Sequence, residues 1–363
     1  MKRFWGMIVF CLAAACGASS REGANGPVRE PLDKVGYVHE GPGFEKVLAK
    51  AAELESAWAA KEGQPAQSGS PFTAVISPHD DYTYAARVYL HAFSRIEARH
   101  IVLFGVAHHA KDFPASEGKL VFESFGAWHG PYGDVPISPL REDLIAALPS
   151  DDVLVSDEIH EGEHSLEGIV PFLQNRVDDV RIVPILVPYM SVSRIEELAE
   201  RTGAALASAM KQRGLTLGRD VAIVISSDSV HYGDEGWSDK NFADFGTDGA
   251  AYDKAVARDL ELVRDHLVGP VSVDRLAGLY GKLVKDDFHE YRVSWCGRFS
   301  IPFGLAALLA TTKALGSPAP SGALLRYGTT LDPGATDYGV PGMGVTAPAN
   351  LHHWVGFAAI GYR

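Results

Sequence analysis

The sequence predicts an α/β protein, a single α/β/α domain around a mainly parallel or mixed sheet. Three observations carry that expectation. Short runs rich in β-branched and aliphatic residues recur along the chain, each apolar almost throughout, as strands buried on both faces should be. Stretches with apolar residues at helical spacing lie between them, and strand–helix alternation of this kind is the signature of an α/β domain. No internal repeat and no linker divides residues 40–363.

The elements follow in order. Residues 1–20, "MKRFWGMIVFCLAAACGASS", have two basic residues, an apolar run too short to span a membrane, and then small residues. This is the layout of a secretory signal peptide. "LAAAC" resembles a bacterial lipobox that would make Cys16 a lipidated first residue, although Leu12 stands four places before the cysteine where three is usual. The alternative is a cleaved signal in which Cys16 has no role. The chain is therefore expected to be exported, either periplasmic or held on a bacterial membrane through that anchor alone. Residues 21–40 are polar with Gly and Pro and read as a tether, leaving residues 41–363 as the folded domain.

Within the domain, Phe44, Val47, Leu48, Ala51, Leu54 and Trp58 mark an amphipathic helix. "FTAVIS", "HIVLFGV", "RIVPILVPY" and "DVAIVISS" read as strands, and residues 191–214 as a second amphipathic helix. The last segment, "APANLHHWVGFAAIGYR", reads as a strand that closes the sheet. Residues 336–353 before it are rich in Gly and Pro and suit a lid-like loop, with His352 and His353 exposed.

Composition narrows the function. The formal charge of −13 without a Lys/Arg cluster argues against nucleic acid, whose phosphates require clustered cations. Of the three cysteines, Cys11 lies in the apolar leader and Cys16 at its end, so Cys296 alone remains in the body. One thiol cannot form an internal disulfide. Cys296 is then either a buried inert thiol or a metal ligand.

Ionisable residues collect at the carboxyl ends of the strands, where open α/β sheets bind ligands. "VISPHDDY" supplies His79, Asp80 and Asp81; "VLFGVAHHAKD" supplies His108 and His109; "IVISSDSVHYGDE" supplies Asp228 and His231. Each has an ordinary alternative. His79 is a metal ligand or a hydrogen-bonded turn residue, and Asp80 and Asp81 are site carboxylates or solvated acids. His108 and His109 must point apart if extended, so one of them at most reaches a given metal. His164 and Glu167, three apart, would share a face of a helix, as a site wall or as a surface ion-pairing face. Asp228 and His231 have the same spacing and suit proton transfer or a loop cap. Arg298, two residues after Cys296, could lower its pKa.

"SPHDDYTY", "AHHA", "EHSLEGIVPF", "SSDSVHYG" and "CGRFSIPFG" occur in the order and at about the spacing of the Memo family, called AmmeMemoRadiSam system protein B in bacteria and archaea. The resemblance covers residues 70–310 and, more loosely, the C-terminal strand. "WHGPYGDVPIS", residues 128–138, also resembles the family's turn before its next strand. The resemblance implies a fold similar to class III extradiol dioxygenases, with cysteine in place of the carboxylate of their iron site. It implies His79, His108 and Cys296 as ligands of one divalent metal ion, iron favoured over copper or zinc, since two imidazoles and a thiolate suit all three. Asp228 and His231 would line the pocket, His231 as acid/base, with His164 in the wall. Where the family has Ala-Gly after the first histidine, this chain has Asp80 and Asp81, which would make the site more acidic and suit a harder cation or a basic substrate.

The leading expectation is thus an exported metalloprotein capable of redox or dioxygenase-type chemistry. A non-catalytic module that holds a peptide or small ligand in the same pocket is the second. Zinc-dependent hydrolysis is the third, and it lacks a recognised motif such as H-E-x-x-H.

Overall fold

The computed structural model describes residues 26–62, 69–238 and 240–363. The expected signal peptide and Cys16 lie outside the described residues. The chain begins with β1 (Val28–Arg29), α1 (Gly41–Glu62), β2 (Ala74–Ser77), α2 (Tyr82–Phe93) and β3 (His100–Val106). Next come β4 (Leu120–Phe122), β5 (Ala127–Trp128), β6 (Val135–Pro136), α3 (Leu140–Ala147), β7 (Val153–Val155), α4 (Asp157–Glu161) and α5 (Ile169–Arg176). The second half holds β8 (Arg181–Val187), α6 (Val192–Arg213), β9 (Val221–Ser226), β10 (His231–Gly233), α7 (Gly249–His266) and β11 (Gly269–Pro270). It ends with α8 (Val273–Leu283), α9 (Ser300–Leu315), β12 (Ser321–Thr329) and β13 (His353–Tyr362).

The large sheet runs β11-β12-β13-β2-β9-β3-β8-β4-β7, with β10 added on β13. Its centre, β2-β9-β3-β8, is parallel, and antiparallel pairs flank it on both sides. The sheet is therefore mixed. The four expected apolar runs are β2, β3, β8 and β9. Alternate residues of each enter opposite cores, as the pleat requires: Val102, Phe104, Ile223 and Ile225 face one, Ile101, Leu103, Ala222 and Val224 the other. Helices α6 and α9 cover the first face, and α2 and α5 the second. Helix α6 starts where the Ser191 side chain caps the Arg194 N–H and stops at Gly214 in the left-handed conformation. Its Gly203 allows close contact with α9, since a Cβ there would stand 2.5 Å from the Ala310 Cβ.

Two expectations are corrected. The C-terminal strand does not close the sheet at its edge but lies inside it between β12 and β2, because β12, whose apolar pattern is broken by Arg326 and Tyr327, pairs along its outer side. The described part of the expected tether packs on the domain. β1 pairs in parallel with β5, and Tyr37 and Val38 are buried. Arg29 explains this anchoring: its buried guanidinium meets Glu167 at 2.7 Å, donates to the carbonyls of His160 and Glu163, and lies 4.2 Å from the centroid of Trp128. Among the described residues, no helix is long and apolar enough to cross a membrane.

A second buried charge cluster ties α1 to α2 and β12, with Glu55 between Arg87, His91 and Arg326. Burial opposes ionisation of Glu55, but the His91 hydrogen bond and the two arginines outweigh it and hold the carboxyl at about 2 against an ordinary 4.5. Its folded pKa lies below its unfolded one, so the cluster stabilises above pH ~4.5 and that contribution fades as pH falls toward 2. Urea unfolding from pH 6 to 2.5 should show a progressive loss in the wild type that is flatter in Glu55→Gln. Equal slopes would overturn the assignment.

Candidate metal centre

The order β2-β9-β3 determines the site. Three neighbouring parallel strands end together, so the residues after them emerge at one edge of the sheet. β2 delivers His79, β3 delivers His108, and β9 delivers Asp228 and the start of β10 at His231. A short helical turn, residues Cys296–Arg298, brings Cys296 beneath them before α9. Gly297 permits this approach, because a Cβ there would lie 2.0 Å from Ser227 Oγ.

One nitrogen of His79, one of His108 and Cys296 Sγ lie within 4.8 Å of one another. Both rings are set in the same tautomer. Ser226 Oγ donates to the Ser165 carbonyl, so it accepts from His79 Nδ1 at 2.7 Å. His108 Nδ1 donates to Glu163 Oε1 at 2.8 Å, and the His108 backbone N–H donates to the other carboxylate oxygen at 2.6 Å. Both Nε2 lone pairs are thereby left for a ligand, the arrangement by which metal-binding histidines are oriented. His79 Nε2 stands 3.5 Å from Cys296 Sγ and 3.3 Å from Asp228 Oδ2. Atoms bound 2.0–2.3 Å from one tetrahedral ion stand roughly 3.3–3.8 Å apart. A nitrogen lone pair, a sulfur and a carboxylate oxygen converge in a buried space, a donor set suited to a cation. The residues fit a metal ion.

Electrostatics favour the ligating form of His79 and oppose it for the other groups. Burial, then the neighbouring His108, pushes His79 well below its ordinary pKa, so the ring is neutral and able to ligate. Burial also works against charge on His108, but the Glu163 carboxylate outweighs it and raises that ring. Burial, then Asp228, pushes the Cys296 thiol up. A cation at Sγ would reverse this, because coordinated thiols are deprotonated. The Asp228 N–H already donates to Sγ at 3.1 Å. Burial raises the Asp228 carboxyl to about 7.

His231 is built differently. Nδ1 faces only the carbonyls of Ser229 and Ser294, at 3.3 and 3.2 Å, so it carries the proton and Nε2 is free to accept one. Burial, then His108, lowers the ring to about 4.

Above these groups opens a cavity of about 530 Å³. His79, His108, His164, Asp228 and His231 line it along with Asp80 and Asp81, with Trp237 and Thr346 from two long loops and His353 from the start of β13. His164 stacks on His108 with ring centroids 4.8 Å apart, and burial lowers its pKa to about 4. Burial pushes Asp81 up to about 6, while its carboxylate accepts the backbone N–H and hydroxyl of Thr346. Asp80 is raised by burial, then by Asp228 and Asp81. Asp81 sits at φ −46°, ψ 138°, a conformation open to any residue, so this turn does not need a glycine.

Three sequence expectations fall outside the cavity. Glu167 does not share a helix face with His164, because α5 begins only at Ile169. Extending it backward would place Pro171 against the Glu167 carbonyl. The Glu167 carboxylate instead accepts the N–H groups of Leu32 and Asp33, at 2.7 and 2.9 Å, beside Arg29. His109 is exposed and turns toward Asp112 at 3.6 Å. Arg298 is buried under Tyr291, 3.5 Å from that ring's centroid, away from the cavity wall. His353, expected on the surface, is buried and stacks on Trp237 at 3.9 Å, while His352 is exposed.

Sequence reasoning missed Glu163, Tyr37, Trp237 and His353. Glu163 had a signal, an acid next to His164 in a segment already suspected. Tyr37 and Trp237 are placed by loops that carry no periodic pattern, and His353 stands at the start of β13. Because Glu163 orients His108, Glu163→Gln should weaken metal binding 10- to 100-fold, the usual cost of losing such a partner. Competition with a chromogenic chelator measures this, and an unchanged affinity would remove Glu163 from that role.

Comparison with known proteins gives a consistent picture. The family model described as Memo-like protein matches residues 46–339. A MEMO1 family protein of Methanothermobacter thermautotrophicus is 29% identical over 259 residues, covering 71% of this chain and 78% of that protein. MEMO1 family proteins of Methanosarcina barkeri and Archaeoglobus fulgidus are 32% and 33% identical over 159 and 161 residues. Those alignments span 43% and 44% of this chain and about half of each relative, 54% and 55%.

Proposed function

The chain belongs to the Memo-like protein family, and from that premise we propose that it is an exported metalloprotein that binds one divalent ion, iron by preference, through His79, His108 and Cys296 and acts on a small organic substrate by redox or dioxygenase-type chemistry. The observation that carries the reading is the common tautomer of the two imidazoles, which leaves both Nε2 lone pairs beside Cys296 Sγ. A bound ion with open coordination positions would supply substrate or O₂ activation. The protein's own groups do the rest. The 530 Å³ cavity admits a ligand of modest size and limits its contact with water. His231, neutral at pH 7, accepts a proton at Nε2 from a bound hydroxyl or amine, and its Nδ1–H bonds to Ser229 and Ser294 hold the ring in place. Asp228, anchored by the His79 N–H at 3.0 Å, places a carboxyl group beside the ligands.

Export rests on the leader-like residues 1–20. Elemental analysis of protein purified without added metal or chelator, paired with an oxygen-electrode assay of the iron(II) form, tests the reading. Near-stoichiometric iron or copper supports it. Zinc alone would favour hydrolysis, and a metal-free protein that still binds ligands would favour a binding module.

A further inference from the structure

The cavity wall shows what kind of ligand it favours. Among the described residues, four aspartates line it, Asp33, Asp80, Asp81 and Asp228, and no lysine or arginine does. Asp228 belongs to the metal centre. Asp80 lies beside Asp228, its pKa raised by burial and then by that charge, and Asp33 and Asp81 form the outer acidic end, brought together from two parts of the chain. Asp33 comes from the N-terminal segment, where its Oδ1 accepts the N–H groups of Val35 and Gly36 at 2.7 and 2.8 Å. Asp81 caps the start of α2.

Gly36 brings the two carboxylates together. A Cβ on Gly36 would lie 2.1 Å from Asp81 Oδ1 and 2.6 Å from Asp33 Oδ2, so both oxygens approach the space left by the missing side chain. Two carboxylates this close repel each other, and a cation between them removes the repulsion. Their hydrogen bonds come from neutral donors, the backbone and Thr346.

Aromatic groups complete the wall. Tyr37, Tyr84 and Trp237 line the same cavity, and the Trp237 indole N–H is buried without a partner among the described residues. Aromatic faces beside carboxylates favour an organic cation over a bare metal ion, since ammonium groups gain from ring contact and retain hydrogen bonds. The unpartnered indole N–H adds a donor for an oxygen on the same ligand.

We propose that this cavity selects organic cations, namely small molecules bearing a protonated amine that is held between Asp33 and Asp81 while the rest of the molecule reaches toward His79, His108 and Cys296. The span is short: Asp81 follows His79 by two residues, at most about 7 Å between Cα atoms. Charge bookkeeping favours the same class. A divalent ion offset by the Cys296 thiolate and Asp228 leaves little positive charge at the inner end, and the acids of the outer end remain.

The substrate class rests on the proposed function above, but amine binding can be read without turnover and without metal. Calorimetry at pH 8 would compare 2-phenylethylamine with 2-phenylethanol and 3-phenylpropanoate, which differ chiefly in charge. The amine should bind at least tenfold more tightly than the alcohol, and the carboxylate more weakly than either. Asp33→Asn and Asp81→Asn should each reduce the amine-to-alcohol ratio at least threefold while leaving metal content and the circular dichroism spectrum unchanged. The preference should persist in metal-depleted protein, which separates its failure from failure of the metal site. Equal binding of amine and alcohol, tighter binding of the carboxylate, or an amine preference that survives both substitutions would overturn the proposal. So would displacement of the amine by millimolar calcium, which would make the acidic end an inorganic cation site.

Discussion

Purified Cys296→Ser protein should retain its fold and lose its metal, falling below roughly a tenth of the wild-type stoichiometry, and His79→Ala and His108→Ala should do the same. The three proposed ligand atoms lie within 4.8 Å of one another, so removing any one would leave two donors of the three. Losing a supporting hydrogen bond already costs such sites 10- to 100-fold in affinity, and losing a donor should cost more. Serine is close in size to cysteine but is a poor ligand for soft or borderline metals, so any loss reports on sulfur rather than on packing. His231→Ala is the comparison variant. Its ring is held by Ser229 and Ser294. A ring nitrogen lies within 4.8 Å of Cys296 Sγ and an Asp228 oxygen, but it is not one of the three proposed ligands. Metal should therefore remain while any turnover falls by ~10²–10⁴, the range for general acid–base groups. Mass spectrometry for metal and thermal unfolding with and without added ion provide two readouts. At ion concentrations a hundred times the dissociation constant, the wild type should gain about 2.7 kcal/mol and the ligand variants nothing. Full metal occupancy in Cys296→Ser would refute thiolate ligation.

The second large effect should come from Arg29→Met, far from the reacting atoms. Arg29 and Glu167 have side chains only 1% and 2% exposed, and the pair is 2.7 Å apart. Removing the guanidinium leaves Glu167 as a buried charge supported only by the N–H groups of Leu32 and Asp33. It also orphans the carbonyls of His160 and Glu163. Breaking one side of a buried ion pair costs ~3–5 kcal/mol, and denaturant unfolding should show a loss of that order. Arg29→Met/Glu167→Gln should recover part of it, since no uncompensated charge is then left behind. A loss under about 1 kcal/mol would mean that the N-terminal segment is not held by this pair. Glu163 both loses its carbonyl partner and orients His108, so metal affinity should also drop in the single variant.

What could be read from the sequence depends on how local its cause is. β2, β3, β8 and β9 were legible because burial on both faces leaves a continuous apolar run, and their parallel centre follows from the helices between them. His79, His108, Asp228 and His231 were legible because each ends such a run. Cys296 was found partly by elimination among three cysteines and partly through the ordered motifs. Helical spacing misled at Glu167, where Pro171 prevents the turn that the spacing assumes. The tether reading failed because Arg29 looks solvated in a polar stretch, and only the fold supplies its partner 138 residues later in Glu167. The cavity roof was illegible for a related reason. Trp237, on an irregular loop, stacks on His353 at the start of β13, and nothing in either segment alone announces the other.

The order β2-β9-β3 also affects how the protein is made. His79 and Cys296 are 217 residues apart in sequence, and His79 and Asp228 are 149 apart, so the ligand set has high contact order. Pairing of β2 with β9 closes the same span, Ser77 against Ser226, so the ligand residues meet only as the central sheet itself forms. A metal ion therefore cannot nucleate the chain as it does in small zinc modules. It arrives at a nearly finished fold, and contacts formed after the transition state act on unfolding rather than folding. Metal loading should prolong the lifetime of the native state and leave the refolding rate almost untouched.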